Sequence, residues 1–239
     1  MRQPMPQARG ADRSGMAERR QLILSAATRR FAEYGFGPTT VRQIAEDVGL
    51  LSGSLYHHFD TKEDILNEIV HEAVFQLAEV TRRIVADRTD PEVRLAALVI
   101  AYLDGVTGRY AAHSILYNER KLLRRTPQFS YVEESRRFTY AAWELVMQQG
   151  VADGRFRSGM AITIMISTFM RLLNNAAEWK AVANSSPIDP RSTWSLGELK
   201  TFHLDFILRA VRPAGRVEEP VPVAEAERLA AAIDQPSTC

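Results

Sequence analysis

The chain has 239 residues, 46% of them hydrophobic and 25% charged, and its formal net charge is +1. This composition is typical of a globular protein with a sizeable core, and it excludes an intrinsically disordered chain or a strongly basic protein. The single cysteine, Cys239, excludes a disulfide framework or a cysteine-based metal site within one chain, which favours a reducing, cytoplasmic location. No apolar run has the length and purity of a membrane span.

The N-terminal region divides into an arm and a helix. Residues 1–15 are rich in Arg, Gln, Pro and Gly and are predicted to be disordered. Arg2, Arg9 and Arg13 fit either a basic arm that enters a DNA minor groove or a solvated tail. Helical apolar spacing then predicts a first helix over residues 16–34.

Residues 39–66 have the pattern of a helix-turn-helix followed by a longer helix. Thr40 is an N-cap residue with a glutamine three positions later, which predicts a capped helix. Gly49 follows the last apolar position of that helix and ends it. Ser52 is predicted to cap a second short helix that continues to Phe59, and Lys62 begins the third.

The second short helix carries the residues with the most functional interest. Leu55 and Phe59, four positions apart, are predicted to face the core. The outward residues are small, hydroxylated or aromatic, and such side chains suit base edges and phosphates: Ser52, Gly53, Ser54, Tyr56, His57 and His58. Spacing alone leaves an alternative, a solvated helical hairpin in an unrelated all-helical protein.

The order of residues in this stretch resembles the signature of the TetR family of bacterial transcription regulators. The matching residues are Ala45, Gly49, Ser52, Gly53, residues 55–59, Lys62, Glu63 and Leu66, and Leu51 departs from the smaller residue that is commoner there. The resemblance implies an all-α fold of about nine helices, with a three-helix DNA-binding head and a larger ligand-binding and dimerisation body. It also implies phosphate contacts by Thr40 and Lys62 and a DNA surface formed by Ser52, Gly53, Ser54, Tyr56 and His57.

Downstream of the head, apolar periodicity predicts only helices and no β-sheet. A long amphipathic helix over residues 62–87 would connect head and body, and further helices are predicted over residues 91–110, 113–123, 129–150, 161–182 and 198–211. The domain prediction is therefore a disordered arm (1–15), a helix-turn-helix domain (16–62), a ligand-binding and dimerisation domain (63–212) and an acidic tail (213–239) with one short helix near residues 224–233.

The helices over residues 161–182 and 198–211 are more apolar than a monomer surface requires. TetR-like proteins pair two such helices with their copies in a second subunit. Two heads on a twofold axis would read a palindromic operator. We therefore expect a homodimer, with the dimer interface near Ile162, Ile166, Met170, Phe202 and Phe206.

Arg171 lies within an apolar stretch, where an unpaired buried charge is costly. It fits either an ion pair with Glu144 or Glu178 or a site for an anionic ligand. Aromatic and Met residues at helical spacing form a pool from which a ligand pocket could be lined, although most such residues are ordinary core: Tyr102, Tyr117, Phe138, Trp143, Met147, Phe169 and Trp179.

A second resemblance indicates the class of effector molecule. Residues 51–59, 129–133 and the 149–156 turn resemble actinobacterial repressors of steroid and fatty-acid catabolism, which sense acyl-CoA thioesters. The resemblance implies that the apolar interior holds the acyl group of the thioester. The phosphates of its CoA group would then contact Arg171 and the basic run Arg120, Lys121, Arg124 and Arg125. Where the subgroup has a tryptophan and an arginine after the Arg171 position, this chain has Asn175 and Trp179.

Other classes of function have less support in the sequence. The five histidines form no H-E-x-x-H pair, and nucleophile-elbow and nucleotide-binding motifs are absent from the sequence, so we expect neither an enzyme nor a metal or cofactor site. Within transcription regulation, the alternatives are a multidrug-sensing repressor of an efflux gene and a regulator without a small-molecule ligand.

Overall fold

The computed structural model describes residues 8–181 and 194–231, with side chains for residues 15–176 and 194–231. These residues form eleven α-helices and two 3-10 turns, and no strand occurs among them, which confirms the predicted all-α class. The helices are α1 (Ala8–Tyr34), α2 (Val41–Asp47), α3 (Ser52–Leu55), α4 (Lys62–Ala86), α5 (Pro91–Gly108), α6 (Tyr110–Asn118), α7 (Arg120–Arg125), α8 (Ser130–Ala152), α9 (Ile162–Ala181), α10 (Leu196–Val211) and α11 (Val223–Ala231).

The chain forms two compact units. The first, which we call the head unit, contains Met1–Glu72 and Ala111–Ser130, and the second, the body unit, contains Ala73–Tyr110 and Tyr131–Cys239. The boundary between them falls within α4. The α6 and α7 helices therefore belong almost entirely to the head unit, although the sequence alone assigned them to the body.

In the head unit, local sequence signals set the ends of the short helices. The Thr40 hydroxyl accepts a hydrogen bond from the Gln43 backbone N–H at 3.3 Å, and the Gln43 side chain accepts one from the Thr40 N–H at 2.9 Å. This is the predicted capping box, and it satisfies two otherwise unpaired N–H groups of α2. Gly49 follows α2 with φ +68°, a conformation that glycine adopts without steric cost.

The core of the head unit is made by the apolar faces of α1 to α4. Its largest fully buried side chains include Ile23, Phe31, Ile44, Leu55 and Leu66. Leu55 and Phe59 are 1% and 4% exposed, as their spacing predicted. Because these two residues face inward, the intervening residues of α3 and its last turn lie on the outer surface.

The body unit is built around α5. Asp90 caps this helix by accepting a hydrogen bond from the Glu92 N–H at 2.9 Å, and Pro91 occupies its first position, as the sequence predicted. Every residue of α5 from 91 to 103 is buried, because α9, α10 and α11 all pack against it. The surrounding core includes Trp143, Phe156, Phe169 and Leu204.

The structure differs from the sequence prediction at the N-terminal end of the chain. The α1 helix begins at Ala8, so the second half of the arm predicted to be disordered is helical, while residues 1–7 lie outside the described part. Ala and Arg are strong helix formers, and here they outweigh the two nearby glycines. In the acidic tail, the short helix predicted near residues 224–233 is present as α11, which packs on α5 and buries Ala226 and Ala230.

The acidic segment after α10 is held by one buried arginine. Arg212 pairs with Glu92, and both side chains are almost fully buried. Its guanidinium also donates hydrogen bonds to the backbone oxygens of Glu219 and, at 3.0 Å, Pro220. Arg216 pairs with Glu219 at 2.6 Å and lies 3.5 Å from Glu92. These contacts fix the connection between α10 and α11 against the start of α5.

Candidate functional site

The outer face of α3 lies between two structurally defined turns. Leu51, with ψ 144°, is the N-cap of α3, one residue before the predicted cap, so Ser52 is the first helical residue. The helix ends at Leu55, before the predicted end at Phe59. Gly53, Tyr56 and His57 are exposed, whereas Ser52 and Ser54 are half-buried. No other described group lies within 4 Å of the position that a Gly53 Cβ would occupy. The face therefore permits close approach of a flat surface such as a base-pair edge.

Thr40 stands at the exposed N-terminus of α2. Its side chain is occupied by the capping box, with the hydroxyl donating to Gln43 Oε1 at 3.0 Å. A helix N-terminus presents backbone N–H groups and a positive partial charge, both of which attract phosphate. The predicted contacts of Thr40 and of the five α3-region residues with DNA agree with this exposure and remain predictions.

Lys62 also makes contacts within the head that the sequence did not predict. Its ammonium donates hydrogen bonds to the backbone oxygens of Phe36 at 2.7 Å and Thr39 at 2.8 Å, and it lies 4.2 Å from the centre of the Phe36 ring. These contacts hold the turn between α1 and α2, which precedes Thr40. The predicted phosphate contact of Lys62 remains a prediction.

Three arginines of α1 are also engaged with neighbouring helices. Arg20 pairs with Glu68, donates to the His58 oxygen at 2.6 Å, and its guanidinium lies 4.0 Å above the Phe59 ring. Arg30 and Arg29 pair with Asp47 at 2.6 and 3.0 Å. The hydrogen bond from Arg30, with a smaller contribution from Arg29, lowers the pKa of the Asp47 carboxyl to about 2. These pairs join α1 to α2 and α4.

The predicted ligand residues Tyr117 and Arg124 both lie in the head unit and are exposed. Tyr117 is the last residue but one of α6, and the Arg120 guanidinium lies 5.7 Å from its ring. The other predicted ligand residues, Phe138, Trp143, Arg171, Asn175 and Trp179, lie in the body unit. The prediction that all seven line one pocket remains a prediction.

Inside the body unit, one polar pair lies within the apolar core. The Tyr102 hydroxyl of α5 donates a hydrogen bond to Asn174 Oδ1 of α9 at 2.9 Å. The Tyr102 ring packs edge-on against Trp143 of α8, with 6.5 Å between ring centres. Burial raises the pKa of the Tyr102 phenol, so this group remains a hydrogen-bond donor at neutral pH. Three helices thus meet at a phenol, an amide and an indole.

The predicted ligand residues of α9 lie on another face of that helix. Arg171 and Asn175 are exposed in the protomer and share a stripe with Ile164 and Thr168. The buried face carries Ile166, Phe169, Met170, Leu173 and Ala176. Arg171 is therefore not a buried charge. Ile166 and Met170, which were predicted to lie in the dimer interface, are buried in the core of their own protomer. The side chains of Trp179 and Glu178 lie outside the described residues.

Sequence reasoning missed Asn174, although a signal was present. Asn174 lies four residues after Met170, a buried residue, while Asn175 lies four residues after the exposed Arg171. Of the remaining predicted residues, Trp143 is 1% exposed, and Phe138 is half-buried with the Arg82 guanidinium 5.4 Å from its ring. Trp143 is a predicted ligand residue that contacts the Tyr102–Asn174 pair, through the Tyr102 ring.

The described residues contain neither a metal-binding cluster nor a membrane-spanning helix. No group of three or more of their His, Cys, Asp or Glu side chains is arranged to hold a metal ion. Among the same residues, no helix combines the length and apolarity needed to cross a membrane.

Comparison with known proteins identifies both parts of the chain. Residues 23–69 match the family described as bacterial regulatory proteins, tetR family, and residues 88–181 match a family described as tetracyclin repressor-like, C-terminal domain. The chain is 34% identical over 182 residues to the transcriptional repressor KstR2 of Mycolicibacterium smegmatis, an alignment covering 76% of this chain and 86% of that protein. It is 35% identical to KstR2 of Rhodococcus jostii, covering 74% and 87% of the two chains.

Solved structures agree with the sequence matches. The ketosteroid transcriptional regulator KstR2 of Mycobacterium tuberculosis superimposes with a TM-score of 0.74 and 29% identity, over 82% of this chain and 95% of that one. AmtR of Mycobacterium smegmatis superimposes with a TM-score of 0.65 and 26% identity, over 96% of each chain. The resemblance predicted from residues 45–66 is confirmed, and the chain belongs to the TetR family of bacterial transcription regulators.

Proposed function

We propose that this DNA-binding regulator is a homodimeric repressor that an acyl-CoA thioester releases from its operator. The relatives named KstR2 are repressors, and one is described as a ketosteroid regulator. The observation that carries the effector proposal is the Tyr102–Asn174 hydrogen bond inside the apolar core of the body unit.

A polar pair of this kind fits recognition of a mostly apolar ligand with one carbonyl. Small-molecule sites in proteins are lined mainly by apolar and aromatic side chains, with a few polar groups that fix the orientation of the ligand. A phenol held protonated by burial donates a hydrogen bond well to a thioester or ketone oxygen. Trp143, which packs against Tyr102, offers a flat surface for a ring or an acyl chain.

Release of DNA requires two states of the protein. A ligand shifts such an equilibrium only by its difference in affinity for the two states. The Tyr102–Asn174 bond joins α5 to α9, so a ligand oxygen that replaced Asn174 as acceptor would separate these helices. We propose that this separation favours the state in which the two heads no longer fit the operator.

The homodimer proposal rests on two exposed helix faces and on the length of α3. The α3 helix has four residues, so a single head makes few base contacts, and a dimer doubles them. In α10, the Phe202 and Phe206 rings stack with 6.3 Å between centres, yet they are 57% and 48% exposed. In α9, Ile164 is 68% exposed. Burial of these side chains against a second copy would remove substantial apolar surface from water.

Fluorescence anisotropy tests the effector proposal. A labelled palindromic fragment from the upstream region of the gene is titrated with protein, and a panel of acyl-CoA thioesters is then added. We expect two protomers per site and release by at least one thioester, but not by free CoA or the free acid. If every thioester leaves the DNA bound while the wild-type protein binds the fragment, the effector proposal is wrong.

Variants of two adjacent residues test whether the effector binds at the Tyr102–Asn174 pair. Asn174→Leu removes the amide that faces Tyr102, whereas Asn175→Leu makes the same chemical change on the exposed face of α9. We expect Asn174→Leu to bind the operator normally and to need at least tenfold more thioester for release. Asn175→Leu should respond like the wild type, and equal responses of the two variants would contradict the assignment of the site.

A further inference from the structure

The head unit carries its positive charge in an unexpected place. Described residues 15–72, which contain the whole helix-turn-helix, have six Lys and Arg against nine Asp and Glu, a formal charge of −3. Residues 111–130 have four Lys and Arg against one Glu, a formal charge of +3. The helix-turn-helix itself, residues 16–62, has six Lys and Arg against five Asp and Glu, so it has almost no excess of positive charge, although duplex DNA is a dense polyanion.

The cations of residues 15–72 are also largely committed to internal contacts. Arg20, Arg29, Arg30 and Arg42 form ion pairs with Glu68, Asp47, Asp47 and Glu46 respectively, and Lys62 donates to backbone oxygens. Neutralisation of phosphates by Lys and Arg supplies much of the affinity of DNA-binding proteins. Five of the six cations in this described stretch are therefore poorly placed to supply it.

The α7 helix presents a basic surface in the same unit. Arg120, Lys121, Arg124 and Arg125, which we call the basic patch, are all exposed, while Leu123 is 3% exposed and anchors the helix. Four cations within six residues repel one another unless an anion lies nearby. This density of exposed charge is typical of a surface that binds phosphates.

Contacts at both ends hold the basic patch to the turn that precedes α2 and to the first turn of α4. Glu119, immediately before α7, accepts a hydrogen bond from the Phe36 N–H at 2.8 Å, in the turn that leads to Thr40. Gln128, after α7, donates to the Glu63 oxygen at 3.3 Å, in the first turn of α4. The basic patch is therefore fixed next to the turns from which α2 and α4 begin.

We propose that the basic patch binds DNA phosphates that flank the half-site read by α3. This interaction adds a sequence-independent contact to the sequence-reading face, and it rests on the DNA binding of the family and not on the identity of the effector. Phosphates of a CoA ester have the same chemistry, so the test must separate the two sources.

The test compares two charge-matched double variants. Lys121→Gln/Arg125→Gln removes two positive charges from the basic patch, and Arg137→Gln/Arg228→Gln removes two exposed positive charges from the body unit. Operator affinity is measured by anisotropy from 50 to 300 mM salt, on a fragment trimmed to the palindrome and on one extended by ten base pairs at each end. Effector release is measured in the same titrations, and thermal melting checks the fold of both variants.

We expect the basic-patch variant to bind the extended fragment about tenfold more weakly, and equally so for a scrambled duplex, because phosphate contacts carry no sequence information. The slope of log K against log salt should fall by about 1 for each phosphate that the variant no longer neutralises. The control variant should bind like the wild type. Unchanged affinity and slope in a folded basic-patch variant would overturn the proposal, and a selective loss of thioester response would assign the basic patch to the effector instead.

Discussion

The head unit and the body unit are stabilised in different ways. In the head, ion pairs, a capping box and a lysine bonded to backbone oxygens join short helices across a small core. The body also has a capping box, at Ser195, and ion pairs, most of which lie on its surface, but its α5 helix is buried between neighbouring helices in a core with few polar groups. The head must hold exposed residues at fixed positions on its surface, which directional contacts do well. In the proposed function the body accepts a ligand, and apolar packing tolerates that more readily.

The buried ion pair of the body is the strongest exception to this contrast. Because Glu92 and Arg212 are almost fully buried, Arg212→Ala removes the main partner of a buried carboxylate and leaves only Arg216, at 3.5 Å. We expect the free energy of unfolding of the body to fall by about 3–5 kcal/mol, measured by urea unfolding with tryptophan fluorescence. The exposed pair of Arg209 with Asp205 provides the control, and Arg209→Ala should cause a much smaller loss, because water screens an exposed ion pair. Equal losses in the two variants would show that burial does not set the strength of this pair.

Two glycines test the same contrast through packing. A Cβ on Gly150 would lie 2.0 Å from the Phe156 ring, which is 2% exposed, so Gly150→Ala should destabilise the body by about 3 kcal/mol. Gly53→Ala meets open space on the head and should leave the melting temperature almost unchanged, while it weakens operator binding. A second substitution, Phe156→Leu, should recover part of the Gly150→Ala loss, and no recovery would place the strain elsewhere.

The same contrast explains what could be predicted from the sequence. The helices of the head could be predicted because the residues that set their ends and buried faces are close together in the chain. These are Thr40 with Gln43, Gly49 after α2, and Leu55 four residues before Phe59. The hydrogen bonds of Lys62 could not be predicted because its acceptors, the Phe36 and Thr39 oxygens, lie more than twenty residues away. Nothing local distinguishes a lysine that binds phosphate from one that caps a turn.

In the body, the class and approximate bounds of the helices followed from periodicity, but the orientation of α9 did not. This helix has apolar residues on most of its surface, so periodicity identifies its buried face poorly. Tertiary packing against α5 and α10 decides that Asn174 faces Tyr102 and that Arg171 and Asn175 are exposed. The arrangement of α6 and α7 with the head unit likewise depends on distant contacts, such as that between Glu119 and Phe36.

Substitution of Lys62 should have an effect of intermediate size, and it distinguishes a lysine that positions the turn before Thr40 from one that contacts a DNA phosphate directly. Lys62→Met removes the hydrogen bonds to Phe36 and Thr39, and we expect a loss of about 2 kcal/mol in head stability, because hydrogen bonds to charged groups are stronger than neutral ones. Operator affinity should fall as the turn before Thr40 loosens, with the salt dependence of binding unchanged. If the slope of log K against log salt also decreases by about 1 per head, Lys62 contacts phosphate after all.

The smallest effect concerns Asp47, whose pairs with Arg30 and Arg29 join α1 to α2. The pKa of its carboxyl is about 2 in the folded protein, below the ordinary value. A lowered pKa stabilises the fold above the ordinary pKa, and this contribution is lost as pH falls through the folded value. Asp47→Asn should therefore cost about 1 kcal/mol at neutral pH, after allowance for solvent screening. The difference in melting temperature from the wild type should disappear between about pH 4 and pH 2.

The two arginines provide a matched pair for this prediction. The Arg30 hydrogen bond is the main cause of the lowered pKa, and the Arg30 side chain is 21% exposed against 65% for Arg29. Arg30→Gln should therefore raise the pKa of Asp47 clearly toward its ordinary value, whereas Arg29→Gln should raise it less, as measured by NMR titration of the carboxyl carbon. A larger effect of Arg29→Gln would mean that the more exposed arginine dominates in solution. The strength of ion pairs in the head would then not follow the burial of their side chains.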